Sequence, residues 1–421
     1  LSPMEARFAL PNLMLQALPV LEALVQQGFE AVFVGGCVRD TAMGLPIKDV
    51  DIATSARPEQ VMSIFPRCIP TGLQHGTVTV LQHGGSYEVT TFRTESEYEK
   101  HRRPLQVEFI DRLDGDLLRR DLTINAMAMN AEGELYDPFR GLSDLKRKTV
   151  RCVGDADARF QEDALRMLRT IRFASQFEFT IAHSTWRALI KHRGLLRHIA
   201  MERVQAELDR MIGGAHPGRA LQLLAACKLL KNTGTVLPAA EKLDQVQSTH
   251  YCDLNKLDEP ETRYAALLIT GGITLRDAEE TLEALRLPAR KMNAILSVLS
   301  VQSAMNQQNR NADLRHVWTS TVLQYGEEAS RRWLTIIAWD NKHSLHHLCN
   351  LFDKWLAGMT AITLKQLKLN GKQLAEGLRM EPGAWTGQLL KRLLLEVALD
   401  KLPNEKDALL KQAQIWNIED R

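Results

Sequence analysis

Residues 31–54 read AVFVGGCVRDTAMGLPIKDVDIAT, and the succession of textures in that stretch decides the fold. Ala31–Val34 is a short apolar run containing two valines and a phenylalanine, residue types that favour strands. It stops at Gly35-Gly36. Residues 38–44 then read as a short helix and 49–53 as a second strand. Strand, glycine turn, helix and strand in that order open a mixed α+β domain. Further on, 77–81 and 87–92 predict a hairpin with Gly84-Gly85 at its turn. Residues 122–129 form another apolar run before a turn at Glu132-Gly133.

Within this domain the polar residues fall in clusters. Strand alternation predicts that Asp49 and Asp51, in Lys48-Asp49-Val50-Asp51, share one face. Two carboxylates that close repel each other. A hard divalent cation such as magnesium would relieve the repulsion and bridge the pair to phosphates; a solvated strand end is the plainer alternative. Gly35 and Gly36 could bring bare amides and a helix N-terminus to a phosphate, or could simply make a tight turn. Arg39, one turn on, could add a charge-assisted contact. Glu88 is a third carboxylate within reach, or a solvent-facing strand residue. Arg119-Arg120-Asp121 with Asn125 suits a triphosphate and ribose hydroxyls, and equally suits a solvated basic turn.

After residue 150 the pattern becomes helical. Phe160, Ala164, Met167, Leu168, Ile171 and Ala174 recur at helical spacing, and Leu-rich amphipathic segments fill the rest. One helix is expected to carry Glu162, Asp163 and Arg166 on a single face, with Arg169 and Arg172 beyond them. That face is either a salt-bridged surface or a donor–acceptor edge for a base. His343, His346, His347 and Cys349 fall on one predicted helix and read as ordinary packing ahead of a metal site.

Composition sets the outer limits. The chain has 421 residues, 45% hydrophobic and 25% charged, which excludes disordered and collagen-like classes. Fifty-three basic against 51 acidic residues name no partner globally. Between Arg140 and Arg172, however, nine basic residues face five acidic ones, a local excess compatible with a nucleic-acid surface. No apolar run approaches the roughly 18 residues that cross a bilayer. Six scattered cysteines without a CxxC pair point to a reducing, cytoplasmic setting and away from a disulfide framework or zinc site.

In order, GGCVRD (35–40), KDVDIAT (48–54), YEVTTFR (87–93), RRDLTINAMAM (119–129), DPFRGLSDL (137–145) and RFQEDALRMLRTIRF (159–173) form a set. The set resembles the class II tRNA nucleotidyltransferases of the polymerase-beta-like nucleotidyltransferase superfamily, and most closely the compact bacillus-type CCA-adding enzymes. The resemblance is dense from about residue 28 to 215 and thinner beyond. It implies an α+β nucleotidyltransferase head (1–150), then all-α modules: a neck with a nucleotide-selecting helix (151–215), a body (216–320) and a tRNA-binding tail (321–421), elongated like a seahorse.

The resemblance also implies roles. Asp49 and Asp51 would bind magnesium, with Glu88 completing the catalytic carboxylates. Gly35, Gly36 and Arg39 would hold triphosphate, and Arg120, Asp121 and Asn125 sugar and phosphates. Asp163 and Arg166 would read the incoming base, braced by Glu162, with Arg169 and Arg172 completing the nucleotide site. The implied activity is template-independent addition of CCA to the 3′ end of tRNA from CTP and ATP, by two-metal-ion catalysis with release of pyrophosphate. A-adding, CC-adding and bacterial poly(A) polymerase sisters share most of these motifs. Residues 94–104 look like the flexible loop that CC-adding members lack, and 71–80 lack the basic–aromatic pattern of the poly(A) polymerases. A non-catalytic RNA-binding protein would have no reason to keep Asp49 and Asp51 together. A small-molecule nucleotidyltransferase would leave the helical modules without a client.

Overall fold

The computed structural model describes residues 6–99, 101, 103–246, 250–307 and 312–420. In chain order it begins α1 (Asn12–Gln26), β1 (Ala31–Val34), α2 (Gly36–Ala42), β2 (Asp51–Thr54), α3 (Pro58–Ile64), β3 (Cys68–Gly72), β4 (Thr77–Gln82) and β5 (Gly85–Thr91). There follow β6 (Arg93–Glu99), β7 (Arg103–Phe109), α4 (Leu113–Leu118), β8 (Ala128–Met129), β9 (Leu135–Tyr136) and α5 (Gly141–Lys146). Seven strands form one sheet in the order β3-β4-β5-β2-β1-β8-β9. The apolar run at β1 is buried along its whole length, as a central strand covered on both faces must be. The β4–β5 hairpin turns at His83-Gly84, both with positive φ (49° and 76°). That is one residue earlier than expected, and it is the primed two-residue turn whose twist matches the strands.

Two expectations are corrected here. The second strand begins at Asp51, so strand alternation does not put Asp49 and Asp51 on one face. Val34 pairs with Asp51 and the chain turns away at Gly35, leaving residue 49 without a partner on β1. Residues 94–104, expected to be a flexible loop, lie instead in a two-stranded antiparallel ribbon of β6 and β7; Lys100 and Arg102 fall outside the described residues. Backbone pairing from Arg93↔Phe109 to Glu99↔Arg103 makes the ribbon without needing an apolar stripe. Its base is fastened to the head at Phe92, which is fully buried and donates its N–H to Thr54 O at 2.8 Å.

The chain divides into two compact units, Leu1–Leu237 and Pro238–Arg421. The first unit therefore adds to the sheet α6 (Ala156–Glu162), α7 (Leu165–Gln176), α8 (His183–His192), α9 (Met201–Ile212) and α10 (Pro217–Cys227). The single helix expected across residues 160–174 is two, broken at Asp163, whose backbone is extended (φ −138°, ψ 105°).

Among its described residues the second unit has helices and no strand, from Ala240–Gln245 to Lys406–Glu419. Trp318, Trp333 and Phe352 pack with ring centroids 5.1–5.7 Å apart, and Trp318 Nε1 donates to Phe352 O at 3.0 Å. Leu374, Leu393, Leu409 and Ala413 centre a second cluster. His343, His346, His347 and Cys349 do not share the one helix expected of them: His343 lies in a bend, His346 and His347 in the short turn His346–Leu348, and Cys349 opens the helix Cys349–Ala357. His343 Nε2 lies 3.0 Å from Gln302 Oε1 and its ring sits edge-on to Trp333. Among the described residues no helix is long and apolar enough to cross a membrane, and none of the six cysteines forms a disulfide.

Candidate active site

The site grows from the end of β2. The β2–β5 register places Asp51 opposite Glu88, and the β1–β2 register places it opposite Val34, next to the glycine turn. A Cβ on Gly35 would lie 3.5 Å from Asp51 Oδ2 and 3.7 Å from Arg120 Nη1, and its φ of +73° is one that side-chain-bearing residues avoid. Glycine thus lets the backbone run close beside a carboxylate and a guanidinium. Burial, and then Glu88, raises the Asp51 carboxyl above its ordinary value; Arg120 opposes this and Asp49 adds to it. A buried carboxylate with two further carboxylates near it offers hard oxygen donors, which fits a divalent cation. Glu88 and Asp49 are both exposed. Among the described residues no three His, Cys, Asp or Glu side chains gather as a closed metal cluster, so any cation here would share its coordination with substrate or water.

Beside the carboxylates opens a cavity of about 780 Å³ lined by nine arginines and five carboxylates, an excess of positive charge that suits an anion. The arginines come in groups, each organised by a partner. Asp116 on α4, 1% exposed, accepts from Arg119 Nε and Arg120 Nη2, both at 3.1 Å, and from the Arg93 backbone N–H at 3.2 Å. Burial alone would raise this carboxyl, but Arg119 and Arg120 outweigh it and hold it low. Arg120 Nε is buried without a hydrogen-bond partner.

Arg39 donates to Asn125 Oδ1 at 2.6 Å and to Asp40 Oδ1 at 3.0 Å. Its guanidinium carbon lies 5.3 and 4.9 Å from the ring centroids of Phe173 and Phe177, within cation–π range. Asp121 is buried and accepts from Arg169 Nε at 2.7 Å and from the Leu122 N–H at 2.7 Å. Burial pushes its carboxyl up, yet Arg169 and these hydrogen bonds hold it well below the usual carboxylate range.

Helix α9 closes the arginine side. Glu207, 2% exposed, accepts from Arg172 Nε at 2.5 Å and Arg210 Nη1 at 3.4 Å, and lies 3.8 Å from Arg169 Nη1. Removing one partner of a buried ion pair leaves the other uncompensated, at a cost of about 3–5 kcal/mol. Glu207→Ala is therefore expected to lose about that much stability in urea unfolding. A change within about 0.5 kcal/mol, the range of ordinary surface substitutions, would contradict the geometry.

The base-reading candidates stand at the α6–α7 break. Glu162 Oε2 accepts from Arg166 Nη1 at 2.6 Å and from Arg159 Nη1 at 2.8 Å, the brace expected of it. Asp163 is not on a shared helix face with Arg166. It caps α7, accepting the Leu165 N–H at 3.1 Å, and it pairs with Arg203 of α9. The ribbon tip reaches the same break: the Ala164 N–H donates to His101 O at 2.9 Å, and His101 Nδ1 meets the Gln161 carbonyl. These outside partners are why the helix breaks where its sequence period runs on.

Most of the expected residues line one cavity: Gly35, Gly36, Arg39, Asp49, Asp51, Arg120, Asp121, Asn125, Asp163, Arg166, Arg169 and Arg172. Glu88 and Glu162 stand beside it through Asp51 and Arg166. Sequence reasoning missed Asp116, Phe173, Phe177, Arg203 and Glu207. Asp116 was within reach, since it lies three and four residues before Arg119 and Arg120. Glu207 has one local partner in Arg210, three positions on, but the contacts that tie α9 to the cavity, Glu207 with Arg172 and Arg203 with Asp163, span 35 and 40 positions and leave no local signal.

Known proteins match this arrangement along the chain. Residues 31–151 match the family model described as Poly A polymerase head domain, 178–240 the one described as "Probable RNA and SrmB- binding site of polymerase A", and 255–413 that of tRNA nucleotidyltransferase domain 2. The CCA-adding enzyme of Ligilactobacillus salivarius is 37% identical over 413 residues, 96% of this chain and 97% of its own. That of Bacillus subtilis is 40% identical over 400 residues, 93% of this chain and 96% of its own. The structure of the Bacillus stearothermophilus CCA-adding enzyme in complex with CTP matches with a TM-score of 0.84 at 33% identity, over 97% of this chain and 98% of that one. With this likeness running nearly end to end, the chain belongs to the CCA-adding enzyme family of tRNA nucleotidyltransferases.

Proposed function

We propose that this chain adds CCA to the 3′ end of tRNA from CTP and ATP, releasing pyrophosphate. The observation that carries the reading is one cavity joining a carboxylate pair, a dense arginine lining and a separate donor–acceptor pair at the α6–α7 break. The first suits phosphoryl transfer, the second a triphosphate and the third a base. Asp49 and Asp51 are the residues that would hold a divalent ion, magnesium in this reading. Such ions, when bound, would acidify the attacking 3′-hydroxyl and offset charge on the triphosphate.

The chain's own residues do the rest. Arg39 and Arg120 stabilise negative charge as it develops, already oriented by Asn125, Phe173 and Asp116, so little reorganisation is needed at the moment of reaction. The Gly35-Gly36 backbone makes room for the phosphates beside Asp51. Asp163 and Arg166 meet the base edge in place of a nucleic-acid template. Affinity for tRNA rests on phosphate contacts and shape, with the helical unit supplying part of the surface, and a cytoplasmic location goes with that substrate. The finer division into head, neck, body and tail at 150, 215 and 320 belongs to the same reading.

Pyrophosphate release measured with and without tRNA lacking CCA tests the reading. Release that depends on both tRNA and magnesium is expected; equal release without tRNA would point to a small-molecule acceptor.

A further inference from the structure

Helix α9 carries a side chain that none of the six motifs contains and that meets the base-reading carboxylate directly. Arg203 Nη2 donates to Asp163 Oδ2 at 2.9 Å and Nη1 to Oδ1 at 3.4 Å, a two-pronged contact that sets direction as well as distance. Asp163 stands in extended backbone between two helices, so neither helix fixes where its carboxylate points. Both side chains are largely shielded, 23% exposed for Arg203 and 14% for Asp163. Oδ1 also accepts the Leu165 N–H. Oδ2, with one donor on it, retains acceptor capacity for a further partner. Arg166 is held by a separate set, Glu162 Oε2 and the carbonyls of Arg159 and Arg119 at 3.1 and 3.2 Å.

We propose that Arg203 is a positioning residue for nucleotide selection: it fixes the Asp163 carboxylate so that one oxygen accepts from the exocyclic amino group of the incoming base. The inference rests on the reading that Asp163 and Arg166 contact that base. Cytosine and adenine carry an amino donor where uracil and guanine carry a carbonyl acceptor. A carboxylate accepts and does not donate, so one held in place favours CTP and ATP and repels UTP and GTP. Released from Arg203, the carboxylate can swing aside and the penalty on the carbonyl bases falls. Lysine in its place keeps the charge and loses the fork.

The test uses the full chain with tRNA lacking its CCA end, and measures kcat and KM for CTP, ATP, UTP and GTP. Arg203→Ala should lower the CTP-over-UTP ratio of kcat/KM on the order of tenfold, within what a placed bidentate contact supplies. The loss should come mainly through a higher KM for CTP, with KM for tRNA unchanged. Arg203→Lys should recover part of the ratio. In an Asp163→Ala background, Arg203→Ala should remove no further discrimination, because it acts through Asp163. Should the alanine variant not fold, Arg203→Gln is read by the same ratio. An equal loss for all four nucleotides, or losses that add in the double variant, would overturn the proposal. If Asp163→Ala itself leaves the ratio intact, the base-reading assignment fails; if it relaxes the ratio and Arg203→Ala does not, the role of Arg203 alone fails.

Discussion

Asp49→Ala and Asp51→Ala are each expected to abolish nucleotide addition, by about a thousandfold or more, while the chain stays folded and still binds tRNA. The size follows from the several kcal/mol of charge stabilisation that a metal-held site supplies, at about 1.4 kcal/mol per tenfold. The sign of the stability change separates this loss from misfolding. Asp51 has its folded carboxyl raised above the ordinary value by burial and by Glu88. The folded state therefore binds the proton more tightly than the unfolded one, and stability falls as pH rises through the window from the ordinary value up to the raised one. Alanine removes that loss, so without metal Asp51→Ala should be no less stable than the parent at neutral pH. Near-normal turnover in magnesium by either variant would contradict the assignment.

The second large effect is on selectivity. Asp163→Ala with Arg166→Ala should relax the choice among CTP, ATP, UTP and GTP while magnesium-dependent chemistry persists at a reduced rate. A well-placed bidentate contact to a base is worth about 1–3 kcal/mol of discrimination, so misincorporation should rise by roughly ten- to a hundredfold. Glu162→Ala should act in the same direction and more mildly, since Arg166 keeps the Arg159 and Arg119 carbonyls as partners. If the trio is a plain ion-pair face, the double variant costs slight stability and leaves misincorporation unchanged.

What the sequence revealed follows from which forces act locally. The strand at Ala31–Val34 was legible because apolar residues end abruptly at two glycines, and Gly35 is needed where the backbone passes Asp51. The carboxylate pair was legible as chemistry but not as geometry. Asp49 lies outside β2 because β1 has already turned away, a fact about pairing between strands. The break at Asp163 was hidden for the same kind of reason. Its apolar period continues across the break, and the partners that open it, Arg203 and His101, sit about 40 and 60 residues away. The ordered motifs marked the residues that meet substrate. The groups that hold them, Asp116, Glu207 and the Phe173–Phe177 pair, came into view only with the packing of α4, α7 and α9 around the cavity.

The central claim is that one cavity builds all of C, C and A on tRNA without a template. It is tested most directly by incubating the chain with tRNAs ending before, within and one nucleotide short of CCA, with CTP, ATP or both, and sequencing the 3′ ends. The account predicts CC with CTP alone on the shortest tRNA, complete CCA with both nucleotides, and a single A added to the tRNA ending in CC. Ends that gain only A, that stop at CC with ATP present, or that grow into runs of A would contradict it.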